Sequence, residues 1–173
     1  MLRWSQKFDR LTIVTHSLPP DSGRIVARLA RVMETALGEA DLSPSQYRVL
    51  SFLSEDGANA AATALAGRMA VSKPSITALV DGLVQRGLVE RRPSEDDRRR
   101  VQHVVTPTGL EALDRADAAV NAQLEQLIGF LEPDERAAAG PGLAQWGEAL
   151  VRARVARRNA DAASAAPPAP TAG

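Results

Sequence analysis

Residues 72–106, SKPSITALVDGLVQRGLVERRPSEDDRRRVQHVVT, constrain the fold more than any other stretch of the chain. Ser72 is a good N-cap, and Pro74 fits the first helical turn, where its missing N–H has no partner in any case. Ile76, Leu79, Val80 and Leu83 follow i, i+3, i+4, i+7 spacing and form one apolar stripe. Gly87 supplies the left-handed residue that ends a helix. Upstream, ALAGRMAVS reads as a short helix and a tight turn, so the pair forms a helix-turn-helix. Downstream, residues 88–92 and 101–106 read as two short strands. The charged, turn-forming residues between them make a hairpin too long for a two-residue turn. A helix-turn-helix followed by a hairpin with arginines at its tip is a winged helix.

The face of the second helix opposite its apolar stripe carries Pro74, Ala78, Asp81 and Gln85, flanked by Ser75 and Thr77. A small, polar face lets a helix lie close in a DNA groove. On an isolated helix the same face would be ordinary solvated surface. Net charge is zero, 21 basic against 21 acidic residues, so DNA binding needs a local basic surface. Residues 86–100 hold six Arg against four acids, a local excess of two. With so small an excess, phosphate binding must depend on where the arginines sit.

At this point the stretch resembles the multiple-antibiotic-resistance regulator (MarR) family of bacterial winged-helix repressors. The residues that carry the likeness are Leu65-Ala66, Ser72-Lys73-Pro74-Ser75-Ile76-Thr77, Leu79-Val80-Asp81, Leu83, Gly87-Leu88-Val89 and Arg91. They are followed by Asp97-Arg98-Arg99, similar to the family's Asp-x-Arg wing signature, and by Thr106-Pro107-Thr108-Gly109, which opens the next helix. The likeness spans roughly residues 24–155. It departs at Ala78, where the family often carries Arg.

The resemblance implies a mainly α fold with a small β-wing: a winged helix-turn-helix plus long N- and C-terminal dimerisation helices. The corresponding division is an arm over 1–20, a MarR-like domain over 21–158 and a disordered tail over 159–173. Within that domain the winged helix covers 43–106, and the dimerisation helices cover 21–40 and 107–158. It implies DNA contacts from Ser72, Lys73, Pro74, Ser75, Thr77, Ala78, Arg98 and Arg99. Double-stranded DNA and a second copy of the chain are the implied partners. A small, often aromatic or phenolic, effector would bind between the two lobes at residues the sequence does not assign. Asp81 lies on the outward face of the recognition helix, where a lone carboxylate would repel phosphate. Arg99 is the expected cation for it, with Asp97 either orienting that guanidinium or serving as a turn residue, and would fix the angle of the wing while Arg98 enters the minor groove. The alternative is pairing within the same helix, to Gln85 or Arg86.

The rest of the chain reads in order. Trp4, Phe8, Leu11, Ile13 and Val14 make the arm apolar enough to pack on its own or a partner subunit. His16 has no neighbouring ligand residue and reads as structural or solvated. Asp21 or Ser22 caps a helix with the stripe Ile25, Leu29, Val32, Met33, Ala36 and Leu37. Ser43-Pro44-Ser45-Gln46 is a capping box opening a helix with Val49, Leu50, Phe52 and Leu53 inside. Residues 55–63 read as a loop, and Ala60-Ala61-Ala62 argues against a strand there. Thr106 caps a helix of about 25 residues. Its side carries Leu110, Leu113, Val120, Leu124, Leu127, Ile128 and Leu131.

Pro133 opens the last helical region, where Gly140-Pro141-Gly142 should kink or break the helix. Beyond it, Leu143, Trp146, Leu150 and Val155 continue an apolar stripe. The basic end, Arg152, Arg154, Arg157 and Arg158, reads as a helix terminus favoured by the macrodipole or as a DNA contact.

Function classes narrow quickly. With no Cys the chain has no disulfide, no thiolate metal site and no thiol redox sensor. Two His and no Gly-rich phosphate loop leave an enzyme without support, and no metal or cofactor is expected. No apolar run reaches the length of a membrane span and no signal-peptide core is present, so the expected location is the bacterial cytoplasm. A winged helix used only for protein interaction is the remaining alternative, and the Arg-rich wing argues against it.

Overall fold

A computed structural model describes residues 18–55, 62–69, 71–94 and 101–165. The element order is α1 (Ser22–Glu39), α2 (Pro44–Glu55), α3 (Ala62–Met69), α4 (Lys73–Gln85), β1 (Val89–Pro93), β2 (Val101–Val105), α5 (Pro107–Ile128) and α6 (Pro133–Ala165). This is the mainly α winged helix expected, with the wing as a two-stranded antiparallel sheet. Its register pairs Val89 with Val105, Arg91 with His103 and Pro93 with Val101.

Local signals set the helix boundaries. Ser43 and Gln46 form the reciprocal capping box: the Gln46 N–H donates to Ser43 Oγ at 3.2 Å and the Ser43 N–H to Gln46 Oε1 at 2.9 Å. Ser72 caps α4, its Oγ accepting from the Ser75 N–H. Thr106 caps α5 by accepting from the Gly109 N–H at 3.0 Å. The same Thr106 hydroxyl donates to the Gly87 carbonyl at 2.6 Å, which ties the base of the wing to the end of α4. Gly109 has no alternative: a Cβ there would fall on the Leu88 carbonyl oxygen and 2.8 Å from Val105 Cγ1. At the start of α1 the Asp21 side chain makes no capping bond, and Ser22 Oγ instead donates to the Pro19 carbonyl at 2.6 Å.

Two helices end in the same way. At the end of α4 the Gly87 N–H donates to Val84 O and the Leu88 N–H to Leu83 O, with Gly87 at φ +70°. At the end of α1 the Asp41 N–H donates to Gly38 O and the Leu42 N–H to Leu37 O, with Asp41 at φ +57°. Both are Schellman motifs, but only the first has glycine in the left-handed position.

The core lies where α2, α3 and α4 meet the base of the wing and the first turns of α5. Leu37, Val49, Leu50, Leu65, Ile76, Val80, Leu83 and Val89 are its largest fully buried side chains. Burial of such residues supplies most of the stability, at about 25 cal/mol per Å² of apolar surface removed from water. α1 packs along α5, whereas α6 touches the rest of the described chain only sparsely.

Two expectations for the C-terminal region need correction. α6 runs unbroken through Pro141 for 33 residues, so the break expected as one of two outcomes does not occur. Pro141 removes one backbone donor, so the Ala137 carbonyl loses its helical partner. That part of α6 is exposed, which leaves the freed carbonyl open to solvent, while Gly140 and Gly142 add no side-chain bulk. The helix also continues through Ala165, so residues 159–165 are helical where a tail was expected. Alanine dominates this segment and is the strongest helix former. The expectations for residues 1–17, the 56–61 loop with its doubtful strand, and residues 166–173 lie outside the described residues. No helix among the described residues is long and apolar enough to cross a membrane.

Candidate nucleic-acid interface

Helix α4 presents its first two turns to solvent because its other side is anchored. Ile76, Val80 and Leu83 are buried under it, and α3 packs beneath it through the buried Leu65 and Met69. Ser72, Lys73, Pro74, Ser75, Thr77 and Ala78 are all exposed at the free N-terminal end. A helix N-terminus carries unpaired N–H groups and a partial positive charge, so this end attracts phosphate. The hydroxyls are held locally. Ser72 Oγ lies 2.8 Å from Ser75 Oγ, and Thr77 Oγ1 donates to the Lys73 carbonyl at 2.9 Å. Thr77 therefore keeps its lone pairs for an incoming donor. The Lys73 side chain has no hydrogen-bond partner among the described residues, and the small Ala78 leaves this face flat.

The wing rises beside α4. Asp81, whose cation was expected to be Arg99, is paired with Arg91 on β1. Arg99, Arg98 and Asp97 lie outside the described residues. The alternative within α4 is not adopted by Arg86, which reaches away from Asp81: its Nη2 donates to Asp41 Oδ2 at 2.7 Å and to the Asp41 carbonyl at 2.8 Å. Arg91 had a signal in the sequence. A strand that turns back directly after a helix runs alongside it, and Arg91 is the basic residue two positions into that strand. Farther out, Ser94 is buried and its Oγ accepts from Gln102 Nε2 at 2.8 Å, which closes the described part of the hairpin.

Behind the interface, α2 faces two other helices. Tyr47 Oη donates to Asp117 Oδ1 of α5 at 2.5 Å. Burial and then this carboxylate push the phenol up from 10.0 to about 12. At the other end of α2, Arg154 of α6 donates to Glu55 Oε2 at 3.1 Å and stands 5.7 Å above the Phe52 ring. A cleft of about 410 Å³ lies between, lined by Tyr47, Arg48, Ser51, Phe52, Glu55, Met69 and Arg154. Arg154 thus faces α2, a placement neither reading of the basic helix end had anticipated. Arg152 bonds Glu148 on its own helix at 3.1 Å.

The comparisons with known proteins agree with this geometry. The model of the MarR family matches residues 40–100. A protein named as a regulator of the hcr operon in Thauera aromatica is 34% identical over 116 residues, covering 66% of this chain and 68% of that one. An HTH-type transcriptional regulator of Mycobacterium leprae is 33% identical over 119 residues, covering 69% and 82%. Among solved structures, a variant of MepR from S. aureus, bound to an oligodeoxyribonucleotide, superposes with a TM-score of 0.58 at 17% identity, covering 75% of this chain and 94% of that one. Such identity speaks for the fold alone. These proteins are regulators rather than enzymes, and the two sequence relatives cover enough of both chains to decide the family. The chain belongs to the MarR family of DNA-binding, winged helix-turn-helix transcriptional regulators.

Proposed function

We propose that this regulator binds a pseudo-palindromic DNA site as a homodimer, acts as a repressor, and is released by a small aromatic or phenolic effector. The observation that carries the reading is the exposed, flat first turns of α4 with the wing on the same side. One copy of that surface reads one half-site. Lys73 and the α4 N-terminus hold phosphate, Ser75 and Thr77 face base edges, and Arg98 and Arg99 extend the contact through the wing.

The second copy is supported by what one chain leaves uncovered. Leu143, Trp146, Leu150 and Val151 of α6 are 56–64% exposed, Phe130 before it is 88% exposed, and Val26 of α1 is 64% exposed. An apolar surface of this extent on a long helix calls for a partner. A second copy covers it with the same two helices, so residues 21–40 and 107–158 make the dimerisation unit around winged helix 43–106. Two-fold pairing then places two copies of α4 roughly 34 Å apart, one turn of duplex DNA.

The cleft between α2 and α6 supports the effector. Phe52 offers an aromatic wall, Tyr47 a hydroxyl, and Arg48 and Arg154 positive charge for a phenolate or carboxylate.

The reading is tested by selecting bound duplexes from a random pool. Inverted repeats with half-site centres about ten base pairs apart are expected. Enrichment of no sequence over the starting pool would refute specific binding and leave the protein-interaction module. Adding 2-hydroxybenzoate should then weaken binding to the selected duplex, and Arg154→Ala should blunt that effect. Unchanged affinity at millimolar 2-hydroxybenzoate would remove that ligand class from the proposal.

A further inference from the structure

The two Schellman motifs meet. Arg86 is the C-cap of α4, and Asp41 is the left-handed residue that ends α1. Arg86 Nη2 donates to Asp41 Oδ2 at 2.7 Å and to the Asp41 carbonyl at 2.8 Å, while Nη1 reaches Gln46 Oε1 at 3.4 Å. One guanidinium therefore joins the end of the recognition helix to the turn between α1 and α2. Its planar fork suits this divergent set of oxygens, which an ammonium could not hold together. It also sits beside the negative ends of α1 and α4, where a cation is favoured.

The identity of residue 41 adds a second observation. Among the described residues Asp41 is the one non-glycine with positive φ. The chain uses glycine for the equivalent position after α4, so the fold does not demand Asp for the turn itself. Aspartate tolerates the left-handed region, and here its carboxylate is spent on Arg86.

We propose that Arg86 is a positioning residue that clamps the recognition helix to the α1–α2 turn and so sets the half-site spacing that the dimer accepts. The inference rests on the dimeric DNA-binding reading above. α1 belongs to the dimerisation unit, and α4 reads the DNA. The buried stripe holds α4 on α2 and α3, while Asp81–Arg91 and the Thr106 hydroxyl on the Gly87 carbonyl join it to the wing. Arg86 is the polar link from α4 directly to the end of α1. Loosening it frees the angle between the two, and an angle at one end of α4 becomes a displacement at its DNA-contacting end, about 20 Å away along 13 residues.

The test uses the full chain and duplexes selected by the unaltered protein, rebuilt with one or two base pairs added or removed between half-sites. The unaltered protein should bind the original spacing at least tenfold better than either one-base-pair neighbour. Arg86→Ala and Arg86→Lys should flatten that preference to about threefold or less, with binding to an isolated half-site unchanged. Asp41→Gly keeps the turn and the carbonyl but loses the carboxylate, and should give an intermediate profile. Arg86→Lys and Asp41→Gly decide the matter should Arg86→Ala not fold. An unmoved spacing profile in these variants, or an equal loss at every spacing and at the isolated half-site, would overturn the clamp alone. Failure of the unaltered protein to select any two-half-site sequence would overturn the dimeric reading and the clamp with it.

Discussion

Lys73 and Ser75 stand two residues apart and should do different work. Lys73 is exposed at the first position of α4, where the proposed reading has its charge meet phosphate of any sequence. Lys73→Ala should weaken all duplexes alike and lower the slope of log affinity against log salt by about one unit. Ser75→Ala should change which duplexes are preferred, with little change in that slope. A Lys73→Ala protein with an altered preferred sequence and an unchanged slope would reverse these roles. Tyr47 makes a different prediction. Its phenol is pushed up from 10.0 to about 12, so the native state favours the neutral form. Its contribution to stability is fully present below pH 10 and is lost as pH rises through about 12. The chain has one tyrosine, so tyrosinate absorbance reports this group alone. It should stay un-ionised near pH 10 while the circular dichroism remains native, and Asp117→Asn should bring it down. Ionisation at pH 10 in the folded protein would contradict the Tyr47–Asp117 bond.

At the scale of elements, the wing is joined to the recognition helix by Asp81 and Arg91, both a little under half exposed. Such a pair contributes up to about 1 kcal/mol to stability. Its larger effect should be on the wing's direction. A double-mutant cycle on Asp81→Ala and Arg91→Ala, read as DNA affinity, should show a coupling of at least about 0.5 kcal/mol. Strict additivity would mean that the pair does not set the wing.

Elements with strong local signals were readable in advance: the Ser43–Gln46 box, the Ser72 and Thr106 caps, the Gly87 stop and the buried stripe Ile76, Val80, Leu83. Each depends on neighbours within about four residues. Pro141 misled because the cost of an interior proline depends on whether the freed carbonyl can reach water, which is a matter of exposure. The alanine-rich end misled because the same composition suits a tail or a helix. Arg86 and Tyr47 acquire their partners across 45 and 70 residues, and side-chain partners at such separations leave no periodic trace in the sequence.

For the whole molecule, the winged helix shares one core with the end of α1 and the first turns of α5, while α1 and α6 turn apolar side chains outward. Trp146 at 56% and Leu150 at 64% exposure are ordinary in a dimer and costly in a lone chain. In the proposed dimer, DNA reading and assembly are one problem: each copy would carry half of the binding surface and half of the interface. The most direct measurement is the mass of the complex on a selected duplex, by sedimentation at micromolar protein. The expected result is two chains per duplex and a free protein that is already dimeric. One chain per duplex, with a free protein that stays monomeric at the same concentration, would contradict the two-fold reading of DNA.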